Sequence, residues 1–218
     1  MSPGAGHGGR APHPGKPVAG AAAVCDRVRM PQPVLRTERM ILLPLTDEHL
    51  ELEVELDADP EVLRYLDGRA RTREEVVEYH AKRMDLGRRV DGLGYWVAFG
   101  PGDDFIGVMM LPPAGEESVA ELGYRLARRH WRRGYAVEAS RELLRHGFET
   151  ARQSRIIAQT MTVNAGSRAV MAKAGLRYQR TFFPDYPPIP GSEEGEVEYA
   201  ITRDEWLTLS RTPEPGTT

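Results

Sequence analysis

The chain is short of cysteine: Cys25 is the only one in 218 residues. An intramolecular disulfide and a thiolate-built metal centre are both excluded, and a reducing compartment fits this usage. Long apolar runs are missing too. None approaches the ~20 residues of a membrane-spanning helix, so no membrane partner is expected. The stretch Val18 to Val24 is short for a secretory core and is broken by Gly20, and Val24 is too large to precede a lipoprotein cysteine. No export signal is read there, and the cytoplasm is the expected location. An excess of one charge is also absent. Against 32 Asp and Glu stand 29 Lys and Arg, a formal net charge of −3, which excludes polyanion binding by bulk charge. His49, His80, His130 and His146 show no ligand spacing, so no metal is expected.

Residues 1–33 have almost no large apolar side chains and are rich in Gly, Ala and Pro, a composition that cannot offset the entropy of ordering. They are expected to be a disordered tail. With Met30 and Met40 near the start of the folded pattern, the tail reads as an over-extended start or a non-native remnant. Residues 211–218 are expected to be a second disordered tail. Residues 34–210 form the expected single domain, in a chain of 40% hydrophobic and 28% charged residues, ordinary globular values.

Within the domain, Arg39 to Leu43 reads as a first strand ended by Pro44. Thr46 opens a helix through about Leu56 with acidic residues in its first turn. Asp59-Pro60 reads as the cap and first position of a short helix ending by Gly68. Thr72 to Glu75 is a capping box, and Val76, Val77, His80 and Met84 form a helical stripe. The period then becomes two. Gly94 to Phe99, a turn over Pro101 to Asp104, and Phe105 to Leu111 make a hairpin. Val119 to Leu126 is a further strand, and Gly134 to Ala151 the longest helix, striped by Val137, Leu144, Phe148 and by Ala136, Leu143, Gly147. A strand from Arg155 to Thr162, a helix from Ser167 to Ala174 stopped by Gly175, strands Leu176 to Phe183 and Glu196 to Thr202, and a terminal helix capped by Asp204 complete the domain. The order describes one mixed α/β domain around a central sheet, without internal repeats.

The chemistry concentrates where the strand Val119 to Leu126 runs through Ala127-Arg128-Arg129-His130 into Trp131-Arg132-Arg133-Gly134-Tyr135-Ala136. The first turn of a helix has N–H groups without intrahelical partners, and its dipole favours an anion. Gly134 and Ala136 lack bulk, so a phosphate can approach the backbone. Arg128, Arg129, Arg132 and Arg133 add charge and bidentate donors. The expected ligand is a di- or polyphosphate across the helix start. It is not a Walker loop, since no Gly-Lys-Ser/Thr follows, and the three glycines of a dinucleotide fingerprint are missing. The arginine run has no interleaved aromatics beyond Trp131, so a nucleic-acid patch ranks below this reading and no nucleic-acid partner is expected.

These residues resemble the GNAT superfamily, and within it the branch related to the RimJ/RimL-like ribosomal-protein N-terminal acetyltransferases. The family's pyrophosphate loop reads Gln/Arg-x-x-Gly-x-Gly/Ala, and the window from Trp131 to Ala136 is similar to it, with Trp131 in the first place. Glu121-Leu122-Gly123-Tyr124 looks like the family's fourth strand. Asn164 to Ser167, followed by Ala172 to Leu176, resembles its Asn-x-x-Ser…Glu-Lys-x-Gly-Phe. The resemblance spans Val34 to Leu209. It implies a mostly antiparallel mixed sheet with flanking helices, whose fourth and fifth strands, here Val119–Leu126 and Arg155–Thr162, splay apart to admit the pantetheine arm of acetyl-CoA along the backbone of Tyr124, Arg125 and Leu126. The pyrophosphate would lie on the arginine-rich loop from Arg128 to Gly134, Tyr135 and Ala136, and the thioester would point towards Glu121 and Ser167.

The implied reaction is acetyl transfer from acetyl-CoA to a primary amine, on a small molecule or a protein N-terminus, by direct attack in a ternary complex. The amine must lose a proton, the thioester oxygen must be stabilised, and the thiolate must leave. Glu121 is the candidate base, or else a strand-edge or substrate-binding carboxylate. Ser167 is the candidate acid towards the thiolate, or else the cap of its helix. The family's tyrosine acid, four residues before Gly175, is replaced by Met171. Asn164 is expected on the cofactor arm or as a turn residue, and Lys173 on the nucleotide phosphates or in solvent. The loop from Phe182 to Glu196 has no Lys or Arg, and its Asp185 and Tyr186 are candidate acceptor contacts. A non-catalytic acyl-CoA-binding or regulatory module on the same fold is the alternative. The resemblance leaves a homodimer open.

Overall fold

The computed structural model describes residues 32–185 and 187–211. The two expected tails and Tyr186 lie outside the described residues, except Gln32, Pro33 and Arg211 at the margins. Gln32 and Pro33 already touch the sheet: Gln32 Nε2 donates to the Tyr95 carbonyl at 2.5 Å, and Trp96 Nε1 donates to that of Pro33 at 2.8 Å.

The strands are β1 (Leu35–Arg36), β2 (Ile41–Pro44), β3 (Gly94–Phe99), β4 (Phe105–Leu111), β5 (Val119–Glu121), β6 (Gly123–Leu126), β7 (Arg155–Met161), β8 (Arg177–Phe182) and β9 (Glu196–Thr202). The helices are α1 (Leu50–Asp57), α2 (Arg73–Arg89), α3 (Tyr135–Glu149), α4 (Ala165–Ala174) and α5 (Arg203–Arg211). One sheet runs β1-β2-β3-β4-β6 and is antiparallel throughout; the other runs β5-β7-β9-β8, with β5 parallel to β7 and the remaining pairs antiparallel. This is the mixed α/β sheet with flanking helices that the element order and the resemblance lead one to expect.

The expected single strand from Val119 to Leu126 is β5 followed by β6, because its neighbour on one edge is lost halfway. On the β4 side pairing is continuous, from the Pro113↔Ala120 bridge and the Glu121 N–H to Pro112 carbonyl bond (2.8 Å) to Gly107↔Leu126. On the β7 side it runs from Val119↔Arg155 to Glu121↔Ile157 and ends with the Leu122 N–H on the Ile157 carbonyl at 2.8 Å. Beyond that point β6 and the rest of β7 part, opening a V between the sheets.

α3 closes one side. Leu143, Leu144 and Phe148 are buried in the main core with Trp96, Ile106, Met109, Leu111 and Ile156. Gly147 permits this approach, since a Cβ there would come within 2.6 Å of Ile156 Cδ1. α1 and α2 cover the opposite face of the first sheet, and among the described residues no α-helix covers that face of the second sheet.

Several expectations are corrected. Asp59 to Gly68 forms no helix. Asp59 Oδ1 accepts from the Glu61 N–H at 3.0 Å, and the segment continues as successive turns around buried Leu63, whose carbonyl takes the N–H groups of Leu66, Asp67 and Gly68. Thr46 leads into a 3₁₀ turn, Asp47–His49, before α1 begins. Val77 is exposed, because the buried stripe of α2 is Val76, His80 and Arg83, one helical face on. α4 is capped by Asn164 rather than opened by Ser167, and α5 by Thr202 rather than Asp204: the Thr202 hydroxyl accepts from the Glu205 N–H at 3.3 Å. β1 is an element that two residues of sequence cannot announce; only pairing with β2 defines it.

Candidate active site

Gly134 sits at φ 84°, ψ −6°, a left-handed conformation that favours glycine, and α3 starts immediately after it. The first intrahelical bond, the Glu138 N–H on the Gly134 carbonyl at 3.1 Å, leaves the N–H groups of Tyr135, Ala136 and Val137 without partners inside the helix. Arg132, at φ 61°, bends the chain into this turn. Neither Arg132 nor Arg133 makes a side-chain ion pair among the described residues. Trp131 closes the turn from behind: its Nε1 donates to the Leu126 carbonyl at 2.8 Å.

Sequence reasoning missed Arg39. Its guanidinium lies over the Tyr135 ring at 4.5 Å, donates to the Arg133 carbonyl at 3.0 Å and pairs with Glu138 at 2.6 Å. A Cβ on Gly134 would come within 3.3 Å of Arg39 Nη2. Arg39 therefore buttresses the loop and adds a cation beside the helix start. It is 94 residues from Arg133, and no local pattern marks it.

Other arginines of the run turn elsewhere. Arg128 pairs with Asp59 at 3.4 Å. Arg129 pairs with Glu55 at 3.2 Å and donates to the Phe105 carbonyl at 3.1 Å. Arg125 points under α1, where it meets Asp57 at 3.1 Å, and burial pushes its guanidinium down to about 10. What β6 offers the V is backbone. Since the Leu122 N–H faces β7, strand alternation turns those of Tyr124 and Leu126 the same way, while the Leu126 carbonyl is already held by Trp131.

The two lips of the V meet through side chains. The Tyr124 hydroxyl donates to the Ser167 carbonyl at 3.0 Å and lies 3.1 Å from Ser167 Oγ. Burial pushes its phenol up to about 12. Ser167 Oγ is free of capping duty because Asn164 performs it: Asn164 Oδ1 accepts from the Ser167 N–H at 3.1 Å, and its Nδ2 donates to Thr160 Oγ1 at 3.0 Å. Both ends of the Asn164 amide are thus used within the turn. Met171 is buried in the core. Lys173 is in the last turn of α4, and its carbonyl accepts from Arg141 at 3.1 Å; its side chain makes no ion pair among the described residues.

Glu121 stands on the other face of the sheet. In register it aligns with Ile157, hence with Gln159, Glu198 and Glu196 along the uncovered side. Burial raises its carboxyl above the usual range, and the negative charges of Glu196 and Glu198 raise it further. Glu198 is held down by Arg180, Gln159 and Arg155 against its own burial, whereas burial raises Glu196. A cavity of about 410 Å³ opens on this face, lined by residues that include Val119, Arg155, Ile157, Arg180 and Glu198. The loop after β8 borders the same side, with Ile189 packed against Gly68. Asp185 is an exposed residue of that loop.

A family profile described as "Acetyltransferase (GNAT) domain" matches residues 39–177. The chain belongs to the GNAT acetyltransferase family. It is an acyl-CoA-dependent N-acyltransferase with acetyl-CoA as its co-substrate. Among curated relatives, the FsC-acetyl coenzyme A-N(2)-transacetylase of Aspergillus fumigatus is 42% identical over 83% of this chain and 80% of its own length. Among solved structures, RimL, a ribosomal L7/L12 alpha-N-protein acetyltransferase in complex with coenzyme A, superposes with a TM-score of 0.69 at 16% identity, covering 79% of this chain and 99% of that one. The spermidine N-acetyltransferase of Vibrio cholerae, in complex with CoA and spermine, reaches 0.67 at 16% identity over 78% and 98%. At such identity these two speak for the fold. No helix among the described residues is long and apolar enough to cross a membrane.

Proposed function

We propose that the protein acetylates a primary amine by direct attack on acetyl-CoA in a ternary complex, as a cytoplasmic enzyme of the RimJ/RimL-like branch. The carrying observation is the V between β6 and β7, with the uncapped first turn of α3 beyond its mouth. The pyrophosphate rests on the N–H groups of Tyr135 and Ala136, with Arg132, Arg133 and Arg39 around it. The pantetheine arm runs along the gap-facing backbone of Tyr124 and Leu126. The thioester then lies between Glu121 on one face and Ser167 on the other, so proton removal from the amine and protonation of the thiolate are kept on separate sides. Arg125, Arg128 and Arg129, paired as they are, act by holding the strand and loop in place.

The acceptor approaches over the face that carries Glu121 and Glu196, two carboxyls that favour a cation, while the charge of Glu198 in the neighbouring cavity is answered by Arg155 and Arg180. The relative at 42% identity makes its acceptor, FsC, the first to try, with spermidine and peptide N-termini as comparators. Thiol release from acetyl-CoA with each amine, with the product checked by mass, tests the reading; no release with any amine would refute it. Asp185→Ala is expected to raise the acceptor KM several-fold and leave acetyl-CoA affinity, by calorimetry, unchanged. Unaltered acceptor kinetics would remove the loop from the site.

A further inference from the structure

Acetyl transfer leaves a thiolate that needs a proton, and the family's phenol on α4 is absent here, with Met171 buried in its place. A serine alone is a poor substitute, because its conjugate base is an alkoxide, far more basic than a phenolate even where burial pushes the phenol up to about 12. The structure supplies a phenol from elsewhere. Tyr124 reaches across the V from β6, and its hydroxyl lies 3.1 Å from Ser167 Oγ and 3.0 Å from the Ser167 carbonyl.

Resting on the acetyltransferase reading above, we propose that Tyr124 is a positioning residue that relays a proton through Ser167 to the departing thiolate. At rest the phenol donates to the Ser167 carbonyl; for reaction its O–H swings to Ser167 Oγ, 3.1 Å away, which leaves the Ser167 Oγ–H to point at the sulfur. As the amine nitrogen bonds to the acetyl carbon and the C–S bond breaks, the electron pair stays on sulfur. Ser167 gives its proton to that sulfur and takes the phenol's in the same motion, so the negative charge comes to rest on the Tyr124 oxygen, not on an alkoxide. Solvent reprotonates the phenolate once coenzyme A leaves, while the proton lost by the amine exits on the Glu121 side. The placement has a reason in the fold: Asn164 takes over the capping of α4, which leaves the Ser167 hydroxyl available to the phenol.

The decisive experiment is a double-mutant cycle on kcat with Tyr124→Phe and Ser167→Ala. Tyr124→Phe is expected to lower kcat roughly 10- to 100-fold with both KM values within about twofold, at or below the lower end of the ~10²–10⁴-fold of general acid catalysis because a thiolate is already a good leaving group. The double variant should then be no slower than Ser167→Ala alone, since the phenol acts only through the serine. Independent, multiplying losses would overturn the relay, as would a Tyr124→Phe loss confined to acetyl-CoA affinity, which is what a mere strut across the V would give. Should Tyr124→Phe fail to fold, the solvent-deuterium proton inventory of wild type carries the test. A bowed inventory that becomes linear in Ser167→Ala sustains the relay, and a linear one in wild type ends it. Wild-type enzyme inactive with every amine would instead refute the parent reading.

Discussion

Asp57→Ala is expected to cost about 3–5 kcal/mol of stability, the range for removing one partner of a buried ion pair. Asp57 is completely buried, as is Glu53. One oxygen of Asp57 accepts from Arg71 at 2.9 Å and from Arg125 at 3.1 Å. Arg71 goes on to Asp67, while Glu53 binds Arg83 and His80. Burial pulls the Arg125 guanidinium down, and the charge of Arg83 pulls it further; the Asp57 carboxylate is the largest influence in the other direction. Taking it away leaves two guanidiniums facing each other out of water. Asp57→Asn keeps an acceptor oxygen without the charge and should fall in between. Urea denaturation read by circular dichroism decides, with unchanged slopes and a midpoint shift. In heat the alanine variant should melt roughly 10 °C lower, given a few degrees per kcal/mol at this domain size. A loss under about 1 kcal/mol, the median of exposed pairs, would show that water reaches the cluster.

That cluster marks a limit of what the sequence discloses. Glu53, Asp57, Asp67, Arg71, His80, Arg83 and Arg125 come from separated segments, and no local pattern joins them. Their meeting is decided by how α1 and α2 lie on the first sheet. The same holds for Arg39, which reaches Gly134 only because β1 and β2 bring its turn against α3. Where local rules suffice, the reading is close. The period-two runs from Gly94 to Leu111 give the hairpin, Thr72 with Glu75 gives the start of α2, and Gly134 and Gly175 mark a helix start and a helix end. The V is expected through the family resemblance alone, since the run from Val119 to Leu126 reads locally as one strand, and only pairing shows that it parts after Leu122. The arginine run shows what counting charges by position leaves out. It groups all four at the phosphate site, whereas side-chain direction pairs Arg128 with Asp59 and Arg129 with Glu55. Similarly, Ser167 and Asn164 are both plausible caps by type; the geometry chooses Asn164.

Glu121→Gln is the change with the largest expected effect on turnover. A carboxylate that takes a proton from the attacking amine contributes about 10²–10⁴-fold, so kcat/KM for the acceptor should fall by that order while acetyl-CoA binds as before. The pH profile separates a base from a carboxylate that merely orders the strand. Burial, then Glu196 and Glu198, raise the Glu121 carboxyl above its ordinary value of 4.5. Activity should therefore rise with pH along a limb whose midpoint lies above 4.5, because below it the base is protonated and idle. In Glu121→Gln that limb should vanish. Glu196→Gln offers a finer test. Removing that negative neighbour makes the ionised form of Glu121 easier to reach, so the limb should move to lower pH while the plateau rate holds. If the limb persists in Glu121→Gln, or stays in place in Glu196→Gln, the proton leaves the amine by another path and Glu121 serves only to attract the acceptor.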